Sequence, residues 1–188
     1  MANVELQTPL NGQAFSIEGL SLAELPSCTK ISMRGDVEAV SAAVEVVAGV
    51  SAVSGANRFS TGSGNSGENT LYWMGPDERL LHSTNSDAPG LVKALKEKLP
   101  AGKSAVVDVS DYYTVLHMSG EKARDVLASG TPFDVHPDIF RQQDCAQIRY
   151  GNASILLACV GDAGYVLQVR WSFAEYLWKY LCKVARYI

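Results

Sequence analysis

The sequence predicts an α+β fold of two lobes, each a split β-α-β arrangement, with a long helix at the C-terminus. Short runs of β-branched and aromatic residues alternate with helical apolar stripes in the same order in both halves of the chain. A residue suited to capping precedes each stripe. We expect an extended arm over residues 1–27 and one compact domain over residues 28–188, with lobes at about 28–110 and 111–188.

The first lobe is predicted to run strand, helix, strand, strand, helix, strand. Its two helices follow Asp36 and Asp87, and each carboxylate can accept hydrogen bonds from the N–H groups of a first turn. The five glycines and five serines of residues 49–70 indicate a flexible connection after the first helix. The predicted strands are residues 28–33, 71–74, 79–82 and 105–109.

The second lobe repeats this alternation without visible sequence identity to the first. Ser119 is predicted to cap a short helix that ends before Gly130, and Ser172 with Glu175 forms a capping-box pattern at the start of the final helix. The predicted strands are residues 112–118, 146–150, 154–160 and 165–169.

Charge, hydropathy and four cysteines without a C-x-x-C pair indicate a soluble protein of a reducing, cytoplasmic compartment. The chain has 16 Lys and Arg residues against 20 Asp and Glu residues, a net charge of −4, which disfavours binding to nucleic-acid phosphates. Its N-terminus lacks the basic start and apolar run of a leader peptide, and no apolar run reaches the roughly 18 residues of a membrane helix. We therefore expect neither a nucleic-acid partner nor a membrane.

Two local patterns suggest chemistry but favour structural roles. Residues 62–67 match the G-x-G-x-x-G pattern of dinucleotide sites, yet the sequence predicts neither a strand before them nor a helix after them, so we interpret them as a flexible loop. His136 stands between Asp134 and Asp138, an arrangement that could tune an acid–base group. Because the neighbouring sequence supplies no nucleophile, a turn or capping role for His136 is favoured.

The acidic pair Asp108 and Asp111 leaves two interpretations open. The carboxylates stand where the two lobes are predicted to join, so they could contact a folate-like or amine ligand. Alternatively, Asp108 and Ser110 bond their own backbone in a sharp turn, which is the more common use of such residues.

The final helix predicts a contact surface. Six of the 16 aromatic residues fall within residues 171–188. At about 100° per residue, the apolar side chains here cover a wider arc than a helix on its own core needs, and Trp178 lies beyond that arc, beside the polar face, to which Cys182 is assigned. An aromatic-rich core helix is the alternative. We predict that Trp171, Tyr176, Trp178 and Tyr187 contact a partner protein.

Five motifs occur in an order that resembles one known family. They are residues 73–78 (Trp-Met-Gly-Pro-Asp-Glu), 107–111 (Val-Asp-Val-Ser-Asp), the run from 117–120 (His-Met-Ser-Gly) to 130–137 (Gly-Thr-Pro-Phe-Asp-Val-His-Pro), 145–147 (Cys-Ala-Gln) and 172–178 (Ser-Phe-Ala-Glu-Tyr-Leu-Trp). In this order they are similar to the gamma subunit of heterotetrameric sarcosine oxidase, over roughly residues 70–180.

The resemblance implies the fold of the folate-binding domains of aminomethyltransferases and assembly with alpha, beta and delta subunits. It implies that this assembly oxidises sarcosine to glycine with O2, giving H2O2 and, with tetrahydrofolate, methylenetetrahydrofolate. FAD, FMN, NAD and zinc are then expected in the partner subunits and none in this chain. Since no residue here matches a catalytic, cofactor-binding or metal-binding motif of the family, a structural subunit is expected.

A free-standing folate-binding or one-carbon-binding protein of the aminomethyltransferase type is the alternative. It would need a pocket with a carboxylate that binds the pterin ring, and Asp108 or Asp111 would be the first residues to consider.

Overall fold

The computed structural model describes residues 8–64 and 67–188. Within them the strands and helices, in chain order, are β1 (Ala14–Ile17), β2 (Leu20–Glu24), β3 (Thr29–Arg34), α1 (Val37–Ala48), β4 (Phe59–Gly64), β5 (Gly67–Gly75), β6 (Glu78–Ser83), α2 (Ala88–Lys98), β7 (Ala105–Asp108), β8 (Tyr113–Ser119), α3 (Ala123–Ala128), β9 (Cys145–Tyr150), β10 (Ala153–Gly161), β11 (Gly164–Arg170) and α4 (Ala174–Ala185). Among the helices of this described part, none is long and apolar enough to span a membrane.

The chain forms two compact units. The central unit contains the described residues of 28–110 and 143–146, and the terminal unit contains residues 8–27, 111–142 and 147–188. Each unit is built on one sheet, with α1 and α2 in the central unit and α3 and α4 in the terminal unit. The first two residues of β9 belong to the central unit and the rest of that strand to the terminal unit.

The sheet of the central unit has the order β4-β5-β6-β3-β7, and every neighbouring pair is antiparallel. β3 and β5 therefore run in the same direction with β6 between them, which confirms the predicted split β-α-β arrangement. The apolar stripes of α1 and α2 pack with this sheet. Their shared core includes Ile31, Met33, Val40, Val44, Leu71, Leu81, Leu91, Leu95 and Val106.

Both helices of the central unit begin where the sequence predicts. Asp36 Oδ1 accepts a hydrogen bond from Ala39 N at 2.9 Å, and Asp87 Oδ1 accepts one from Gly90 N at 3.0 Å. Each carboxylate satisfies a first-turn N–H that has no partner inside its helix, and its negative charge lies at the positive end of the helix dipole. Both aspartate caps are confirmed.

Residues 59–64 and 67–70 of the glycine- and serine-rich stretch, which is predicted as a flexible connection, lie in the paired strands of the β4–β5 hairpin. A Cβ on Gly62 would collide with Gly49 O, and one on Gly64 would lie 2.8 Å from Ala48 O. These glycines therefore let β4 pass close to the C-terminal end of α1, so their composition reflects packing rather than flexibility. Within the G-x-G-x-x-G pattern, residues 62–64 lie in β4 and Gly67 in β5, while Asn65 and Ser66 lie outside the described residues. Gly62 and Gly64 lie beside the C-terminal end of α1, whereas phosphate binding uses the N-terminal end of a helix.

The terminal unit repeats the strand pattern of the central unit but takes one strand from a distant part of the chain. Its sheet has the order β1-β2-β8-β11-β10-β9. The order β10-β11-β8 in this sheet corresponds to the order β5-β6-β3 in the sheet of the central unit. The next strand beyond β8 is β2, so β2 occupies the position that β7 has beside β3. β2 pairs with β8 in the antiparallel sense, as β7 pairs with β3. The N-terminal part of the chain thus completes the second sheet.

Residues 14–24, predicted as part of an extended arm, form the β1–β2 hairpin instead. Leu22 lies opposite Met118 of β8, and both Leu20 and Leu22 are buried. The buried leucines alternate with smaller side chains, which is the period of a strand that is covered on one face. Residues 1–7 of the predicted arm lie outside the described residues.

The Glu24 carboxylate connects the β1–β2 hairpin to β8 and to the residues that precede β1. Its Oε2 accepts hydrogen bonds from Thr8 Oγ1 at 2.6 Å and Gly12 N at 2.7 Å, and its Oε1 accepts one from Thr114 Oγ1 at 2.8 Å. Glu24 is buried, so these three donors replace the water that the carboxylate gives up on folding. The segment that precedes β1 is thereby fixed to both β2 and β8.

The predicted serine cap of α3 is wrong. Ser119 is the last residue of β8 and pairs with Ser21 on one side and Gly164 on the other, which holds its backbone in the extended sheet conformation. The helix begins later, at Ala123, after Lys122 and without a side-chain cap.

The predicted capping box of the final helix is also wrong. Ser172 lies inside a 3₁₀ turn, Trp171–Phe173, that leads directly into α4, so its side chain does not cap the first turn. Glu175 instead forms an ion pair with Lys179 at 2.6 Å, one helical turn further along. The long C-terminal helix itself is confirmed.

We expect Gly62→Ala to destabilise the protein by about 1–3 kcal/mol, because the added methyl group overlaps the end of α1 and the backbone must move. Gly75→Ala is the matched strand control, since a Cβ there lies an ordinary 3.7 Å from Glu78 Cβ. Urea unfolding of the two variants measures the difference in the free energy of unfolding. Equal stabilities would contradict the close approach of β4 to α1.

Candidate partner interface

Helix α4 divides into a buried side and an exposed side at about 100° per residue. The buried side consists of Ala174, Leu177, Trp178, Leu181, Cys182 and Ala185. The exposed side consists of Glu175, Tyr176, Lys179 and Lys183, and it continues into Arg186, the residue that directly follows the helix. The helix therefore turns charged and aromatic side chains to solvent while a separate apolar side holds it to β11 and α3.

Trp178 lies on the buried side of α4, whereas the sequence placed it beside the polar face of the helix. It is 8% exposed. The prediction assigned Cys182 to the polar face and gave no weight to the small side chains of Ala174 and Ala185. These small residues allow that side of the helix to pack closely on the core of its own unit. Trp178 lies on the same side and is therefore buried in that core. Trp178 anchors the helix and leaves the opposite side available.

A ladder of aromatic rings supports the exposed side of α4. Tyr176 and Tyr180 are stacked with their centroids 6.0 Å apart, and Tyr180 packs edge-on against Tyr150 at 5.4 Å. The Tyr150 hydroxyl donates a buried hydrogen bond to Val126 O at 2.7 Å. Burial raises the pKa of the Tyr150 hydroxyl, so this group stays protonated and remains a donor at neutral pH. The ladder thus begins in the core and ends at Tyr176 on the surface.

The turn after β9 fixes the outer end of this ladder. Asn152 N donates a hydrogen bond to the Tyr176 hydroxyl at 3.0 Å. Gly151 has a φ of 54°, and a Cβ there would lie 3.0 Å from Tyr180 Cε1, so a larger residue would be both strained and crowded. Sequence reasoning does not identify this support. Its signal in the sequence is the Tyr-Gly-Asn turn between two predicted strands.

A second group of exposed aromatic residues lies where β11 meets α4. Trp171 is 44% exposed, and Phe173 is exposed while its ring packs edge-on against Tyr176 at 6.4 Å. The guanidinium of Arg170 lies over the exposed ring of Tyr112, 5.4 Å from its centroid. We call Tyr112, Trp171, Phe173 and Tyr176 the aromatic surface.

Tyr187 stands apart from the aromatic surface, beyond the C-terminal end of α4. It is 83% exposed, the most open of the large apolar side chains in the described residues. Of the four residues predicted to contact a partner, Trp171, Tyr176 and Tyr187 are therefore accessible, and Trp178 is not.

The Asp108 carboxylate takes part in a turn. Its Oδ1 accepts hydrogen bonds from Ser110 N at 2.9 Å and from Ser110 Oγ at 2.5 Å, which is the local backbone arrangement considered as the alternative to a ligand site. Asp108 belongs to the central unit, and Asp111 is the middle residue of the 3₁₀ turn Ser110–Tyr112 and the first residue of its segment of the terminal unit.

His136 also takes part in a local turn, as the sequence favours. Its backbone N–H donates to Asp134 Oδ1 at 2.8 Å, and its Nδ1 accepts a hydrogen bond from Asp138 N at 3.3 Å. The imidazole is exposed to solvent. Among the residues that the structure describes, no three His, Cys, Asp or Glu side chains cluster as metal ligands would.

Comparison with known proteins finds one family. A family model described as sarcosine oxidase, gamma subunit family, matches residues 34–186. The curated relatives include the sarcosine oxidase gamma subunits of Corynebacterium sp. strain U-96, 31% identical over 106 residues, and of Arthrobacter sp., 30% identical over 106 residues. Each match covers 56% of this chain and 51% of the relative, so the chain spans about half the length of the curated relatives it matches.

Two solved structures share the fold. A chain of the heterotetrameric sarcosine oxidase from Corynebacterium sp. U-96 in complex with pyrrole 2-carboxylate is similar with a TM-score of 0.81 and 24% identity, covering 95% of this chain and 94% of that chain. The glycine cleavage system aminomethyltransferase T from Bartonella henselae is similar with a TM-score of 0.67 and 12% identity, covering 94% of this chain and 56% of that chain. The predicted likeness in fold to aminomethyltransferases is confirmed.

We expect Trp178→Ala to lower the free energy of unfolding by about 3–5 kcal/mol, because it removes a large side chain from the core and leaves a cavity. Trp171→Ala removes the same kind of side chain from an exposed site and should change the free energy of unfolding by no more than about 0.5 kcal/mol. Thermal or urea unfolding of both variants provides the comparison. A large loss for Trp171→Ala with none for Trp178→Ala would reverse the assignment of the two tryptophans.

Proposed function

Because the chain belongs to the sarcosine oxidase gamma subunit family, we propose that it is a structural, non-catalytic subunit of a heterotetrameric sarcosine oxidase. The family match confirms the resemblance that the five sequence motifs predict. In the proposed complex the partners are alpha, beta and delta subunits. The assembly oxidises sarcosine to glycine with O2, releases H2O2 and, with tetrahydrofolate, forms methylenetetrahydrofolate. We place it in the cytoplasm.

The proposal assigns the redox and one-carbon chemistry to the partner subunits, where FAD, FMN, NAD and zinc would be held. The local roles of one candidate for ligand contact, Asp108, and one candidate for acid–base chemistry, His136, support this assignment. Asp108 bonds Ser110 within a turn, and His136 bonds the backbone of Asp138. Each group thus has a local partner that accounts for its place in the sequence.

The observation that carries the proposal is an aromatic surface that is exposed yet held in place. Tyr176 is fixed by a hydrogen bond from Asn152 N and by the tyrosine ladder that reaches the core, and Phe173 packs against it. Aromatic side chains are enriched where proteins contact one another. Since these rings are already ordered, their burial against a partner would cost little conformational entropy.

Trp171 and Tyr187 extend the proposed interface to both ends of α4. Their side chains are exposed although large apolar groups favour burial. A partner that covers this side of the terminal unit would remove both from water. Trp178 contributes from the other side of the helix by holding α4 in position.

We expect Trp171→Glu to separate the chain from its partners, because the interface would have to bury an unpaired carboxylate. The tagged chain is purified from its source cells, and native mass spectrometry identifies what remains bound. Val46→Glu is the matched control, since Val46 is an exposed apolar residue on α1 of the central unit. Unfolding curves establish that both variants are folded.

A stable complex of the unaltered chain with flavin-containing partners, lost with Trp171→Glu and kept with Val46→Glu, is the expected result. A Trp171→Glu chain that still assembles would refute the interface. An unaltered chain that is purified alone and releases heat with tetrahydrofolate in calorimetry would refute the subunit role and favour a free-standing folate-binding protein.

A further inference from the structure

The C-terminal segment carries positive charge on an acidic chain. Residues 170–188 contain four Lys and Arg residues and a single Glu, whereas residues 1–169 contain 12 Lys and Arg residues and 19 Asp and Glu residues. The segment with most of the exposed aromatic residues is thus the one whose charge opposes that of the rest of the protein. Such a contrast is typical of a surface that orients a charged partner.

The cations of α4 lie on its exposed side with Tyr176. Lys179, Lys183 and Arg186 are spaced by four and three residues, so they form one stripe along the helix. Glu175 is paired with Lys179, and this pair lowers the pKa of the Glu175 carboxyl. Within the described residues, Lys183 and Arg186 form no ion pair.

The two arginines at the ends of this segment are placed beside aromatic rings. Arg170 lies over the ring of Tyr112, and Arg186 lies over the ring of Phe15 in β1, 5.8 Å from its centroid. A guanidinium that stacks on a ring has its orientation restricted while its N–H groups can still donate to a further acceptor. These cations are therefore presented in a restricted geometry.

We infer that this cationic aromatic side of α4 docks on an acidic surface of a partner subunit. The inference rests on the proposed function, because it assumes that a partner covers the aromatic surface. Lys183 and Arg186 lie on the same side of the helix as Tyr176, so a partner that covers the ring also removes water from the cations. An apolar partner would leave them buried and unpaired, whereas carboxylates would form charge-assisted hydrogen bonds with them.

The test reverses two of these charges in the complete complex. Lys183→Glu with Arg186→Glu changes residues three apart at the C-terminal end of α4, and Lys93→Glu with Lys96→Glu makes the same charge change at the same spacing on exposed positions of α2. The tagged chains are co-expressed with their partner subunits. Native mass spectrometry measures the fraction of the chain that is assembled. The dissociation constant is measured by binding of the purified remaining subunits to the surface-immobilised chain, at low and at high NaCl.

We expect the charge reversal on α4 to raise the dissociation constant of the complex at least about tenfold. The charge reversal on α2 should change the dissociation constant less than about twofold. The neutral variant Lys183→Gln with Arg186→Gln should fall between the two, and added NaCl should weaken assembly of the unaltered chain by screening. The neutral variant also decides the question if the reversed helix does not fold.

Three results would overturn the inference. Assembly that is unaffected by the α4 reversal and by NaCl would exclude an acidic docking surface while leaving the subunit role intact. A self-associated dimer that the reversal dissociates would show that a second copy of this chain covers the helix. An unaltered chain that has no partner would refute the proposed function itself, whatever the charge variants do.

Discussion

The terminal unit depends on the antiparallel pairing of β2 with β8. Without β2, the side of β8 that faces away from β11 would be an unpaired edge, with its backbone N–H and C=O groups unsatisfied. The buried Glu24 carboxylate reinforces the pairing, since it accepts hydrogen bonds from Thr114 of β8 and from the chain before β1. β8 in turn pairs with β11 and fixes its register. β11 ends at Arg170, shortly before α4 begins.

Helix α4 combines two requirements that its two sides meet separately. Trp178 and the small residues beside it pack into the core, while the aromatic and basic residues on the other side are exposed to solvent. Those residues are nevertheless ordered, because Tyr176 is connected to the core through Tyr180 and Tyr150. Aromatic side chains and Arg are enriched in the surfaces through which proteins contact one another.

Local signals in the sequence were sufficient for most elements. The aspartate caps of α1 and α2 and the β-branched strands depend on neighbouring residues, and they were predicted correctly. The β4–β5 hairpin was missed because Gly62 and Gly64 serve a close approach to α1 that only the folded chain reveals. The side of α4 that faces the core was misassigned because Cys182 and the alanines are weak apolar signals, and their value lies in allowing close packing rather than in burying area.

The place of the central unit in the chain has a consequence for the order of folding. Most of this unit is inserted between β2 and β8, so the two strands that must pair are far apart in sequence and closing that loop carries an entropic cost. Within the central unit, however, Ile31 of β3 pairs with Asp108 of β7, so folding of this unit brings the two ends of the insertion together. During synthesis, the sheet of the central unit can form before α4 has left the ribosome. Once β3 and β7 are paired, the loop that must close before β2 can pair with β8 is effectively shorter. A weakened β3–β7 pair should therefore appear as slower formation of the terminal unit in refolding kinetics, even though none of its own residues has changed.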